Sequence, residues 1–389
     1  MSAYTVRSFG SMMADRVRTD SYAAALERTV RPGCVVLDVG TGTGILALLA
    51  CRYGARHVYA IDPNNAIHVA RASAQANGYA DRITFIQAVS TEVRLPERAD
   101  VAVADLRGVL PVHAGNIQAM ADVRERLLAP GGVVIPRTDT IRGAPVQDAE
   151  AYGRITAPWT EHGHGFHLSA AREAALNDWG KVYFAPEQLL ADAATWAVLD
   201  YRATADPNVT GTMEWTVARA GTGHGVSVWF DADLAEGVGF TTGAHGPRTI
   251  YGTAFLPWLQ PVELAEGDRV SMRLDARLAS GEYVWVWNTD IRRGDGAVFR
   301  FRQSTLQGVT VGMRALRMRA HDFAPVLAER GRVDQRILEM MDGTATLGEI
   351  ASELQRRYPD RFPDWKSALS RAGQLSELFA EGAEPGLRS

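Results

Sequence analysis

The sequence predicts an α/β domain with a doubly wound parallel sheet, then a β-barrel or sandwich domain, then a small C-terminal helical module. Three observations carry this. Short apolar runs alternate with helical segments through roughly the first third of the chain, and a glycine-rich turn joins the first run to its helix. From about residue 137 helical periodicity fades into short strands rich in glycine and aromatic residues. Beyond about residue 320 the helical pattern returns.

The first run, Cys34 to Val39, is β-branched, lies between Pro32-Gly33 and Gly40, and reads as a buried parallel strand. Gly40-Thr41-Gly42-Thr43-Gly44 follows, and a helix begins near Ile45. A second strand is expected at His57 to Ile61, ending on Asp62, then a helix over about Ala66 to Asn77. Strand three is Ile83 to Gln87. Strand four is Val101 to Ala104, ending on Asp105, and another strand follows Ala129-Pro130-Gly131-Gly132. Later strands are expected around Trp196–Tyr201, Gly211–Val217, Gly225–Phe230 and Tyr283–Trp287. Near the C-terminus Asp342-Gly343 marks a turn, and Thr346 with Glu349 forms a capping pair for the next helix. The expected domains are therefore 1–136, 137–320 and 321–389.

The chain has 389 residues, with 41 basic and 45 acidic side chains. This near-neutral balance gives no polyanion-binding footprint, so neither nucleic acid nor an anionic membrane is an expected partner. Cys34 and Cys51 are the only cysteines, which excludes a cysteine-based metal site or disulfide scaffold and fits a reducing, cytoplasmic setting. The N-terminus lacks the apolar stretch of a signal peptide, and no run is long enough to span a bilayer.

Parallel sheets of this kind bind ligands at the carboxyl ends of their strands, where Gly40, Gly42, Asp62 and Asp105 fall. The glycines allow close backbone approach. Asp62, 22 residues after Gly40, stands where a carboxylate accepts from ribose hydroxyls. The spacing is G-x-G-x-G, which departs from the dinucleotide fingerprint, and no Lys-Ser/Thr pair follows as in a P-loop. A glycine loop alone would also serve as a tight turn; the carboxylate after strand two favours a nucleotide.

Val36-Leu37-Asp38-Val39-Gly40-Thr41-Gly42-Thr43-Gly44-Ile45-Leu46 resembles motif I of class I S-adenosylmethionine-dependent methyltransferases, and is most similar to the protein arginine methyltransferase type. Met12, Asp15, Val17-Arg18-Thr19 and Tyr22 resemble the helix preceding that motif. Gly54 to Val58 with Ile61-Asp62 resembles the second strand. Leu127 to Pro136 resembles the exit from the Rossmann-like domain. Gly165-Phe166 and Ser169 resemble part of a dimerisation arm, expected near 155–182. The resemblance, over about residues 4 to 300, implies S-adenosyl-L-methionine as cofactor, a β-barrel after the Rossmann unit, and a homodimer. It implies that Arg18 holds the cofactor carboxylate as a planar fork. Asp62 would take the ribose hydroxyls, Asp38 would meet the ammonium or hold the loop, and either Thr91 or Glu92 would take the adenine amino group. Residues around 336–358 resemble the helical part of PqqD-like or winged-helix modules, with a plain helical appendage as the alternative.

The family's two loop glutamates fall on Asp105 and Ala114, and the histidine of its Thr-His-Trp signature falls on Ile250, within Thr249-Ile250-Tyr251. Aspartate is a methylene shorter than glutamate, alanine removes an anion, and Arg107 adds a cation expected to repel a guanidinium. The expected function is therefore methyl transfer to an N or O acceptor of a small molecule or peptide, as in natural-product biosynthesis. Two rivals are an arginine methyltransferase whose acidic site is rebuilt from Asp148, Glu150 or Glu161, and a catalytically silent cofactor-binding protein. Asp105 is the candidate to orient or deprotonate the acceptor, against a capping role. His113 is a candidate base, against a loop histidine, and Tyr251 a candidate wall of the acceptor pocket, against a core tyrosine. His162, His164 and His167 have a ligand-like spacing in a glycine-rich stretch, but their place in the arm favours a non-metal role.

Overall fold

The alternation of apolar runs and helices becomes a five-stranded parallel sheet of order β3-β2-β1-β4-β5 in the computed structural model, which describes residues 5–279, 281–309, 317–318 and 321–380. Its strands are β1 (Val35–Val39), β2 (His57–Ile61), β3 (Ile83–Ile86), β4 (Ala99–Ala104) and β5 (Leu128–Ile135). All five residues of β1 are buried, because helices cover both faces and leave no polar side to alternate with. Around it lie α1 (Val6–Ala14), α2 (Arg16–Thr29), α3 (Ile45–Arg52), α4 (Ala66–Ala76) and α5 (Asn116–Asp122). In register, Val39 faces Ile61 on β2 and Ala104 on β4. Gly40, Asp62 and Asp105 therefore emerge side by side at one edge. The order reverses between β1 and β4, which is where such sheets open a crevice.

Two antiparallel sheets follow. One joins β6 (Thr138–Val146), β7 (Gly180–Val182), β8 (Ala194–Asp200), β10 (Gly221–Ala235) and β12 (Thr253–Leu264), with β11 (Val238–Thr241) paired to β10. The other runs β15 (Val298–Ser304), β14 (Glu282–Arg292), β13 (Arg269–Ala279), β9 (Val209–Thr216). Strand β9 buries alternate residues, among them Met213 and Trp215, and exposes those between, as a sheet with one wet face must. One continuous apolar cluster runs from Leu37 and Val103 of the parallel sheet to Phe230, Trp258 and Trp287 of the β sheets. The two layers are therefore halves of a single compact unit, residues 3–310. Between β6 and β7, helices α6 (Ala149–Thr160) and α7 (Ser169–Leu176) flank a turn that leaves Phe166 76% exposed.

The second unit covers 311–389. Its helices α8 (Glu329–Glu339), α9 (Leu347–Arg357) and α10 (Trp365–Phe379) close on Val333, Ile337, Ile350, Leu354, Phe362 and Leu375. Thr346 and Glu349 form the expected reciprocal capping box at the start of α9. Gly343 adopts the left-handed conformation of the expected turn. Among its described residues this unit has no strand.

Candidate active site

The strand-to-helix turn after β1 is built on glycines because its backbone is left-handed and crowded. Gly42 has φ +55°, and a Cβ there would lie 2.5 Å from the Phe9 ring; a Cβ on Gly40 would lie 2.6 Å from Leu106. Gly44 closes the turn, its N–H donating to the Thr41 carbonyl at 2.8 Å. Helix α1 thus lies over this turn, with Phe9 against Gly42 and Met13 Sδ beside Thr43 Oγ1 at 3.8 Å.

Asp62 stands next to this loop with both carboxylate oxygens engaged. Oδ2 accepts from the Gly42 N–H and Oδ1 from the Asn64 N–H, each at 2.7 Å. Burial raises its pKa, and the two N–H groups counter part of that. Each oxygen keeps a second lone pair, so the carboxylate can still receive hydroxyl donors. Asp38 is fully buried. Its Oδ2 accepts from Thr41 Oγ1 at 2.6 Å, which ties it to the turn, and its Oδ1 has no hydrogen-bond partner among the described residues. Burial pushes its pKa up to about 7. Thr91 and Glu92 sit exposed on a short turn after β3.

Arg18 and Asp105, assigned separate tasks from the sequence, form an ion pair. Arg18 Nε donates to Asp105 Oδ2 at 2.5 Å, and the Asp105 side chain is only 6% exposed. The same oxygen accepts from Tyr251 Oη at 2.6 Å, and Oδ1 accepts from Arg107 at 3.3 Å. Burial alone would raise the Asp105 pKa, but the Arg18 and Arg107 cations outweigh it and hold the carboxyl below its ordinary value. A carboxylate held this way is a weaker proton acceptor than an unpaired one.

Arg107 also departs from expectation. Its guanidinium is buried and bidentate, Nε and a terminal nitrogen each reaching Asp139 at 2.8 Å. It also donates to Tyr22 Oη at 2.5 Å, while Tyr201 Oη donates to Asp139 at 2.7 Å. Its charge is therefore compensated inside the protein and does not face an acceptor, which removes the expected repulsion of a cationic substrate. Arg18, Arg107, Asp105 and Asp139 together balance to zero. Asp139 and Tyr201 were not anticipated as site residues. The signal for Asp139 lay in its position: in the alternating pattern of β6 it shares the buried face with Ile141, where a carboxylate needs a cationic partner.

The loop from 105 to 114 keeps a strained turn where the family's second glutamate falls, Ala114 having φ +40°. His113 beside it is exposed, with its ring against Gly108. Among the described residues its imidazole has no hydrogen-bond partner, unlike Asp105 and Arg107 on the same loop. Tyr251 is buried, stacked on Phe240 with centroids 5.9 Å apart and edge-on to Phe230 at 5.2 Å. It is thus both a core tyrosine and a polar contact of Asp105. The Ile250 N–H donates to Asp15 Oδ2 at 2.6 Å.

Two of the alternative acidic residues are engaged elsewhere. Asp148 caps α6 and accepts from Gln188, and Glu150 pairs with Arg154 on an exposed helix face. Glu161, His162, His164 and His167 are exposed in the α6–α7 turn. Among the described residues no group of His, Cys, Asp and Glu is placed to hold a metal ion. No helix among them is long and apolar enough to cross a membrane.

Residues 18–136 match the ribosomal protein L11 methyltransferase (PrmA) family. A probable histone-arginine methyltransferase CARM1 from Oryza sativa subsp. indica is 31% identical over 317 residues, covering 74% of this chain and 58% of the relative. The chain thus spans less than two thirds of that protein's length. Protein arginine N-methyltransferase 1 of Schizosaccharomyces pombe is 28% identical over 257 residues, 62% of this chain and 75% of the relative. Among solved structures, the Trypanosoma brucei PRMT1 enzyme-prozyme heterotetrameric complex with AdoHcy superposes with a TM-score of 0.69 at 23% identity. That match covers 76% of this chain and 97% of the solved one.

Proposed function

From a chain with the protein arginine methyltransferase-like fold of S-adenosylmethionine-dependent methyltransferases, we propose an enzyme that methylates an N or O acceptor of a small molecule or peptide. The observation that carries it is the alignment of the Gly40–Gly44 turn, Asp62 and Arg18 at the switch point of the parallel sheet. Two features fit the cofactor: a carboxylate with spare acceptor capacity, and a guanidinium with unpaired terminal nitrogens among the described residues. Bound S-adenosylmethionine supplies an electrophilic methyl group on a sulfonium. Asp62 would receive the ribose hydroxyls, Arg18 the carboxylate, and Thr91 or Glu92 the adenine edge. Asp38 and Thr41 hold the turn.

The acceptor follows from the loop. Two free carboxylates are what would localise a guanidinium, which stays cationic at any working pH. Here one position is alanine and the other is committed to Arg18, Tyr251 and Arg107. His113 is the one titratable side chain of the 105–114 loop without a compensating partner among the described residues. It is therefore the base assigned to an acceptor that must lose a proton. An already nucleophilic acceptor needs only in-line positioning. The names of the relatives favour a second reading, arginine methylation with a different acidic site.

In the same reading the chain divides into a donor domain over 1–136, a barrel over 137–320 and a helical module over 321–389, and it works as a cytoplasmic homodimer. The test is incubation with methyl-labelled cofactor against arginine-rich peptides, free arginine, and panels of amines, alcohols and carboxylic acids. Label on a non-guanidine acceptor is the expected result. Guanidine methylation at ordinary turnover overturns the acceptor assignment, and cofactor binding without transfer to any member favours a silent protein.

A further inference from the structure

We propose that Tyr251, a residue of the β layer, is a positioning residue for the cofactor's amino-acid carboxylate, acting through Asp105 on Arg18. This rests on the methyltransferase reading above and goes beyond it, because it makes the cofactor seat a product of both layers.

Two carboxylates join the same two stretches of chain. Asp15 Oδ1 accepts from the Arg18 backbone N–H at 3.0 Å, and its Oδ2 accepts from the Ile250 N–H at 2.6 Å. Asp105 Oδ2 accepts from the Arg18 side chain at 2.5 Å and from the Tyr251 hydroxyl at 2.6 Å. Backbone and side chain of residue 18 are thus each tied, through one carboxylate, to the adjacent residues 250 and 251. The result is a closed hydrogen-bonded ring of Asp15, Arg18, Asp105, Tyr251 and Ile250.

The ring has a direction. Tyr251 cannot swing, because its ring is stacked on Phe240 and braced edge-on by Phe230. Its hydroxyl therefore fixes Asp105 Oδ2, and that oxygen fixes the plane of the Arg18 guanidinium through Nε. The guanidinium is further held over the Tyr22 ring, 5.5 Å from its centroid. Among the described residues its two terminal nitrogens have no hydrogen-bond partner. A planar fork anchored at Nε presents that terminal edge in one orientation, which suits the carboxylate of an α-amino acid. Remove the hydroxyl and Asp105 Oδ2 loses one of its two close donors, so both Asp105 and the fork gain freedom that a bound carboxylate must then restrict.

The test compares two ligands on the purified full chain. S-adenosylhomocysteine carries the amino-acid carboxylate, and 5′-methylthioadenosine keeps the nucleoside and lacks it. Tyr251→Phe retains the stacked ring and removes only the hydroxyl. It is expected to raise the Kd of S-adenosylhomocysteine about tenfold while leaving that of 5′-methylthioadenosine within about twofold. Asp105→Asn moves the same ratio in the same direction. Equal losses on both ligands would mean a merely structural role, and undiminished S-adenosylhomocysteine affinity would mean no role; either overturns the proposal. Wild-type protein that binds neither ligand overturns the methyltransferase reading itself, and this inference with it.

Discussion

Replacing Asp62 by asparagine probes the donor site most directly. The carboxylate accepts from two backbone N–H groups at 2.7 Å, one on each oxygen. Asparagine is neutral and keeps one oxygen, so neither bond remains charge-assisted, and its NH2 sets two donors against each other at the second N–H. Hydrogen bonds to a charged acceptor contribute about 1.5–3 kcal/mol each. The ribose hydroxyls lose the same acceptor, so binding should weaken by about 2–3 kcal/mol, roughly 30- to 150-fold in Kd. Isothermal titration with S-adenosylhomocysteine measures it, with circular dichroism to show the variant is folded. Unlike the change at Tyr251, this one should weaken 5′-methylthioadenosine as well, because that ligand keeps the ribose. A folded variant whose Kd for both ligands stays within about threefold of wild type would refute the donor-site assignment.

Two further outcomes follow from the buried charges. Asp139→Ala strands the Arg107 guanidinium without its bidentate partner and should destabilise the protein by about 3–5 kcal/mol. Arg107→Leu combined with Asp139→Leu should cost less than the single change; chemical denaturation checks both, and a loss for Asp139→Ala under about 1 kcal/mol would place this pair with ordinary surface pairs. Asp38, pushed up to about 7 by burial, binds a proton in the folded state that the unfolded chain has already released above its ordinary carboxyl pKa. Its contribution to stability therefore declines as pH rises from the acid side toward about 7, and Asp38→Asn should flatten that slope in melting temperatures measured across pH 5 to 8, roughly the window concerned. An identical slope in the variant would show that Asp38 does not titrate there.

Much of the donor site was legible because its signals are local. A β-branched run, three glycines and a carboxylate after the next strand each follow from the conformation of a few consecutive residues. The strands at Val35–Val39 and His57–Ile61 appear within a residue of where the pattern put them. The capping box at Thr346 is legible for the same reason: both partners lie within one helical turn. The acceptor side was less so. The loop residues Asp105 and Arg107 were identified, but their partners were not, and the partners decide their chemistry.

Sequence by itself determined the fold class, the order of the layers and the edge of the sheet at which Gly40, Asp62 and Asp105 follow their strands, since these depend on periodicity and on short-range turn chemistry. Only tertiary structure decided that Arg18 meets Asp105, 87 residues away, and that Arg107 meets Asp139, 32 residues away. Whether a charge faces a ligand or is neutralised inside the protein depends on which buried group of opposite sign packs within hydrogen-bond reach, and that is a property of the assembled layers rather than of any one stretch of chain.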